Sequence, residues 1–403
     1  MWSRLDLGVG LIATGGVDLL WPDIADLVDV VEVEPQTLWD DTQGDGKGLE
    51  RRALSWLRSL GRPLLSHGVG FPVGGTVAPD PDGVRASARS ARELEAVHWS
   101  EHLSFNRAGQ DGDHAGYLLP PIPTSDSVAA AVGHIRGYQE QLDRPFLVET
   151  PTSYLRPAPG DLTDGEYVAR IAEEAGCGIL LDLHNIWANE LNGRQSVADF
   201  VDAIPLDRVW EVHLAGGFEF NGYHLDAHVG PVAEPLLALA RQVVPRLPNV
   251  RALMFEAVPE SVAALGSAGL RSVLHQLHEL ARLPVAPAPA AGPAQRRAVA
   301  TPATTAADRE AMLLAFTTRH SEVLPDGDPG AEVLRLLTDE ARLSLLAVHR
   351  PDELARLLVA HGREGTEQLL RQFLAESTAS SWPRDQAAAF DRWFSRQDRG
   401  VRA

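Results

Sequence analysis

Short apolar runs alternate with longer amphipathic stretches from the first residues of the chain. A brief apolar run bounded by Gly, Pro or Asp predicts a buried strand, whereas apolar positions three and four apart predict one face of a helix. By that rule strands are expected at residues 7–12, 30–33, 63–69, 97–104, 146–149, 178–182, 209–213 and 252–256. Helices are expected after them, at 17–27, 49–60, 84–94, 125–142, 164–175, 197–203, 233–244 and 262–283. Thr163, followed three residues later by Glu166, is a capping-box signature for the helix at 164–175. A long loop marked by Gly109, Gly112 and Gly116 follows the fourth strand. Strand and helix in strict alternation predict an α/β fold, a TIM-type (β/α)8 barrel over residues 1–283.

The pattern then breaks. Residues 284–306 hold Pro284, Pro287, Pro289, Pro293 and Pro302 among many Ala residues, and such a stretch reads as an extended linker. Helical patterns resume at 309–319, 331–337, 351–361, 366–376 and 383–396, which predicts a small α-helical domain over 307–403. That domain carries no internal repeat and no catalytic constellation.

Composition narrows the partners. The 403-residue chain has a formal net charge of -19, which repels phosphate backbones and argues against nucleic acid. Cys177 is the single cysteine, so a disulfide framework and a cysteine-based zinc or iron–sulfur site within the chain are excluded. It sits in Ala-Gly-Cys-Gly before a strand and is expected to pack as a small hydrophobe. No basic-then-apolar segment opens the chain and no long uncharged apolar run follows, so no membrane partner and a cytoplasmic location are expected.

The chemistry gathers at the strand ends. Phe146-Leu-Val-Glu149 runs from apolar residues into a carboxylate, and Pro151 stops the run. A carboxylate there is costly unless it is paired, protonated or metal-bound. The same design recurs at His67, at His98 and His102, at Asp182, His184 and Asn185, at Glu211 and His213, and at Glu256, with Asp226-Ala-His228 in a loop. Barrel catalytic residues belong at C-terminal strand ends, so these groups are expected to share one pocket. Strand alternation allows Asp182 and His184 to share the pore side, and likewise Glu211 and His213. The donor set is imidazole and carboxylate without sulfur, enough for two or three ions bridged by Glu149 or Asp182. Such a site with open positions can reduce O2 or activate water. His98 is expected to be a core or supporting residue, and Glu211 to orient a ligand or form an ion pair. His114, His134, His224, His275, His278, His320, His349 and His361 are expected to be solvated or capping, and Trp99, Trp187 and Trp210 to be core.

The motifs Ser66-His67-Gly-Val-Gly, Ser100-Glu-His102-Leu-Ser, Val148-Glu149-Thr-Pro, Leu181-Asp182-Leu-His184-Asn185, His213-Leu-Ala-Gly and Leu225-Asp226-Ala-His228, followed by Glu256, come in a fixed order. Together they resemble the multinuclear non-haem iron-dependent oxidases over residues 8–283. The resemblance implies a barrel holding two or three iron ions, cycling between Fe(II) and Fe(III), with O2 as co-substrate. It implies a ribosomally made precursor peptide as substrate, modified often at cysteine, and often a partner protein that binds the peptide. By position it implies His67, His102 and Glu149 for one iron. Asp182, His213 and Glu256, with Glu149 shared, would serve a second. His184 or Asn185, with Asp226 and His228, would serve a third. Glu149, Asp182 and His213 are the expected catalytic centre. Many members carry Asn-Asn where this chain has His184-Asn185, and Glu-Asn where it has Pro35-Gln36. The latter departure leaves the family's substrate contacts near Glu32 and Glu34 open. The helical tail is a candidate stand-in for the partner protein.

Two other classes fit the same residues. A metal-dependent barrel that acts as sugar isomerase, epimerase or phosphodiesterase would also place His, Asp and Glu at strand ends, but would work without O2. A non-catalytic scaffold whose tail docks a partner would bind no metal.

Overall fold

The structure, a computed structural model, describes residues 3–40, 47–286 and 304–401. Eight parallel strands close into a barrel: β1 (Gly8–Ile12), β2 (Val30–Val33), β3 (Leu64–Gly68), β4 (Trp99–His102), β5 (Phe146–Glu149), β6 (Gly178–Asp182), β7 (Val209–Ala215) and β8 (Ala252–Glu256). Each strand pairs with its sequence neighbours, and β1 closes on β8 through Gly8↔Ala252 and Gly10↔Met254. The fold class is therefore the TIM-type barrel that the alternation predicts.

Helices α1 (Val17–Ile24), α2 (Arg51–Ser59), α3 (Pro81–Glu93), α4 (Ser125–Gln139), α5 (Asp164–Ala175), α6 (Leu183–Leu191), α7 (Val197–Ala203), α8 (Glu234–Val243) and α9 (Pro259–Ala281) belong to the same stretch of chain. Outward strand residues such as Val31, Val148, Ile179 and Val212 join apolar helix faces in one buried cluster. The caps are local. At α5 the Thr163 side chain accepts from the Glu166 amide while Glu166 returns the bond, so the capping box is formed. Gly176 ends that helix at φ 68, where a side chain would be strained.

Inside the barrel, successive residues of one strand alternate between the pore and the helices. Leu7, Val30, Leu65, Ala252 and Met254 form an apolar floor. Above it the interior turns polar, with Glu32, His67, His98, Asp182, Glu211 and His213 all at 1% exposure or less.

Two local expectations fail for identifiable reasons. Helix α6, which the sequence pattern did not predict, begins directly at Leu183, with Asp182 as its N-cap accepting from the Asn185 amide at 2.8 Å. His184 and Asn185 therefore lie on a first helical turn, and strand parity with Asp182 does not apply. The loop with three glycines contains a hairpin, Phe105–Ala108 against Asp113–Leu119. The separate helical patterns at 351–361 and 366–376 are found as two helices meeting at a kink at Gly362 with φ 65, together α12 (Pro351–Glu376).

Most of the predicted linker lies outside the described residues. Beyond it stand α10 (Ala306–Thr317), α11 (Gly330–His349), α12 and α13 (Pro383–Val401). They build a core of their own from Leu346, Leu357, Phe373, Phe390 and Trp393. They also pack on the barrel's loops. Leu313, Phe316 and Leu334 join Phe105, Tyr154 and Leu225 in one cluster, and Trp382 stacks on Trp39 at 5.6 Å. Glu310 reaches Thr76, beyond β3, accepting from its amide at 2.9 Å and its hydroxyl at 2.5 Å. No helix among the described residues is long and apolar enough to cross a membrane.

Candidate metal centre

The register brings the strand-end residues to one level. His102 pairs with Glu149 across β4 and β5, and Asp182 pairs with His213 across β6 and β7. Glu256 lies beside Ala215, one pore position above His213.

Three groups of side chains have ligand atoms within 4.8 Å of one another: His67, His102 and Glu149; Glu149, Asp182, His213 and Glu256; and Glu32, Glu211 and His213. The first two share Glu149 and the last two share His213. Glu149 Oε2 lies 3.3 Å from His67 Nε2 and 3.1 Å from His102 Nε2. Its Oε1 is 3.8 Å from His213 Nδ1, which also sits 3.1 Å from Glu256 Oε2.

The far side of each ring fixes its tautomer. His102 Nδ1 lies 2.8 Å from the Gly68 carbonyl, which only accepts, so the proton is on Nδ1 and the Nε2 lone pair faces Glu149. His67 Nδ1 lies 2.8 Å from Ser100 Oγ, whose own hydroxyl points at the Ser66 carbonyl, so His67 Nε2 is likewise the free nitrogen. Ligating histidines are commonly held in this way by the partner of their other nitrogen. His67 Nε2, Glu149 Oε2 and Asp182 Oδ2 are buried without a hydrogen-bond partner. Buried polar atoms are rarely left so, and several orphans aimed at one point fit a cation among them.

The charges are strongly coupled. Burial raises Asp182 to about 7, reinforced by Asp226, Glu149 and Glu256. Burial alone would lower His67, but the neighbouring Glu149 and Glu32 carboxylates raise it to about 10, so without a cation Nε2 also carries a proton, in the place a metal ion would take. Burial would raise Glu256, yet His228 and His213 pull it down to about 2. Imidazoles and carboxylates thus balance one another in a space that water does not reach.

His184, Asn185, Asp226 and His228 belong to none of the three groups. They form a chain of contacts beside them. His228 Nε2 lies 2.7 Å and His184 Nδ1 3.2 Å from Asp226 Oδ1, and His228 Nδ1 lies 3.3 Å from Glu256 Oε1. Asn185 spends its amide elsewhere: Nδ2 donates to the Thr150 carbonyl, and Oδ1 accepts from Thr152. Gly217 is required here, because a Cβ on it would come 2.5 Å from His184 Nε2 and 2.4 Å from the Leu225 carbonyl. Asp226 and His228 are 19% and 24% exposed and His102 is 21% exposed, so these mark the open mouth above the buried residues.

Several residues escaped the sequence reading. Glu32 lies in the interior with Val30, as strand parity would have indicated, and its Oε2 is 2.8 Å from His213 Nε2. At 0% exposure it is sealed from solvent. Ser100 and Glu101 back His67 and His102 from the same strand. His98, expected as a core or supporting residue, bonds Glu211 at 2.8 Å. His224 is half-buried against the Trp187 ring at 4.7 Å, and His114 is driven down to about 4 by burial, so neither is a freely solvated histidine. Cys177 is buried, and burial pushes its thiol up to about 12.

The sequence model of a family described as "RiPP precursor modification enzyme MbnB/TglH/ChrH" matches residues 6–260. A UPF0276 protein of Chromobacterium violaceum is 29% identical over 221 residues, covering 54% of this chain and 79% of its own length. One of Rhizorhabdus wittichii is 31% identical over 253 residues, covering 62% of this chain and 87% of its own. Among solved structures, a xylose isomerase domain containing protein of Salmonella typhimurium superposes with a TM-score of 0.47 at 14% identity, covering 70% of this chain and 99% of that one.

Proposed function

The chain belongs to the RiPP precursor modification enzyme family, and from that premise we propose that it is an iron- and O2-dependent oxidase. Its substrate is a residue of a ribosomally synthesised precursor peptide, with cysteine the expected target. The observation that carries the reading is the pair of donor groups joined at Glu149, made only of imidazole nitrogens and carboxylate oxygens.

His67, His102 and Glu149 would hold one iron, and Glu149, Asp182, His213 and Glu256 a second. Asp226 and His228, with His184, would hold a third. Iron bound there supplies electrons for O2 reduction and a Lewis-acid position for a substrate thiolate or amide. The chain's own part is to aim and to shield. Gly68 and Ser100 fix the His102 and His67 rings through their Nδ1 atoms. Asp182 is held by the Asn185 amide through Oδ1, leaving Oδ2 toward the centre. The apolar floor closes the barrel from below, so substrate comes through the mouth beside His102, Asp226 and His228. Because Cys177 is buried, a soft ligand would come from the peptide. A cleft between Gln36, Thr37 and Val69 on the barrel and Leu345 and Trp382 of the C-terminal domain would give an extended peptide a path. This supports the helical domain as a docking element in place of a separate partner protein.

The test is anaerobic reconstitution with Fe(II), followed by O2 and a cysteine-containing precursor peptide, comparing the native chain with Glu149→Gln. Iron binding with O2 consumption and a mass change on the peptide is expected, and the variant should lose both iron and turnover. Turnover that needs no O2, or that survives Glu149→Gln, defeats the proposal.

A further inference from the structure

Beneath the centre just described lies a second convergence that its chemistry does not use. Glu32 on β2, Glu211 on β7 and the Nε2 face of His213 have ligand atoms within 4.8 Å of one another. All three side chains are at 0% exposure. Glu32 Oε2 is 2.8 Å and Glu211 Oε1 3.8 Å from His213 Nε2, yet neither contact has hydrogen-bond geometry. Both Glu32 oxygens, Glu211 Oε1 and His213 Nε2 are left without a hydrogen-bond partner. The other oxygen of Glu211 is taken by His98 Nε2 at 2.8 Å, which turns Oε1 toward the gap.

Two buried carboxylates with one hydrogen bond between them are expensive in a dry interior. His213 already presents Nδ1 to Glu256 and Glu149, so it cannot neutralise both sides. Ligands about 2.1 Å from a small divalent ion stand roughly 3–4 Å apart, close to the 2.8 Å and 3.8 Å separations from His213 Nε2. We propose that Glu32, Glu211 and His213 Nε2 form a separate cation site on the floor of the barrel, for a divalent first-row metal ion. Two carboxylates and one imidazole suit manganese or iron, and the ion would cancel the paired negative charge. With both centres loaded, His213 would be shared as the imidazolate, Nδ1 upward and Nε2 downward, its ring proton lost to solvent as the ions bind. His98 would orient Glu211 from behind, the usual role of a partner to a ligating carboxylate. The site lies between the apolar floor and the mouth cluster, and it stands whether or not the upper centre is an oxidase.

The test begins with the unaltered protein. Crystals of the full chain loaded anaerobically with Fe(II) alone, and in parallel with Mn(II) alone, are examined by anomalous diffraction at each metal's edge. A peak bounded by Glu32, Glu211 and His213 Nε2 with either metal is expected. Glu211→Gln should lose that peak and one metal equivalent per chain while the peaks around Glu149 persist. Peaks around Glu149 with none on the floor overturn this proposal and leave the oxidase reading standing. A floor peak alone would support it while removing that reading. Absence of every peak, with a protonated-carboxyl infrared band that Glu32→Gln abolishes, would overturn it as well, since a proton then does the ion's work.

Discussion

Glu310 ties the helical domain to the barrel with a buried carboxyl that receives the Thr76 amide and hydroxyl. Burial outweighs those hydrogen bonds and raises its pKa from 4.5 to about 7. Below pH 4.5 the group is protonated in both folded and unfolded chains and contributes no pH dependence. As pH rises toward 7 the unfolded chain releases the proton first, so stability falls across that window and then levels off. A rise from 4.5 to about 7 corresponds to about 3 kcal/mol. Glu310→Gln keeps an acceptor for Thr76 and removes the titration. Relative to the native chain, the variant should therefore gain about 3 kcal/mol between pH 4.5 and pH 8. Urea unfolding of both proteins across that range, followed by tryptophan fluorescence, measures the difference and cancels every other titrating group. A difference that stays constant within about 0.5 kcal/mol would refute the reasoning, as would one that grows toward acid pH.

Two further substitutions probe the site. His98→Ala leaves Glu211 buried with no hydrogen bond and should cost about 3–5 kcal/mol in denaturant unfolding, whereas His98→Gln, which restores a donor, should recover most of it. Gly217→Ala forces a methyl against the Leu225 carbonyl and His184 Nε2, so a loss of about 1–3 kcal/mol is expected, with weakened metal retention at Asp226 and His228 in a chelator challenge.

The barrel was legible because its signals are local. Strands β2, β5, β6 and β8 have the bounds that their apolar runs predict, and α5 begins where its capping box says. The hairpin after β4 was hidden by its glycines, which read as loop although Gly116 lies within a strand. Helix α6 was hidden because Leu181-Asp182-Leu183-His184 alternates like a strand, while the Asp182 cap turns the chain at that point. That turn takes His184 off the pore face and sets it against Asp226.

The sequence by itself determined the repeating units and the residue types at the strand ends, because a period of two and a cap of four residues are properties of neighbours along the chain. Only the closed barrel decided which of those residues meet. Register across β4 and β5 sets Glu149 beside His102, and register across β6 and β7 sets Asp182 beside His213. Closure of β1 on β8 brings Glu32 under a histidine from the far side of the ring. Distances between residues far apart in the chain follow from strand order, tilt and closure, and no local pattern encodes them.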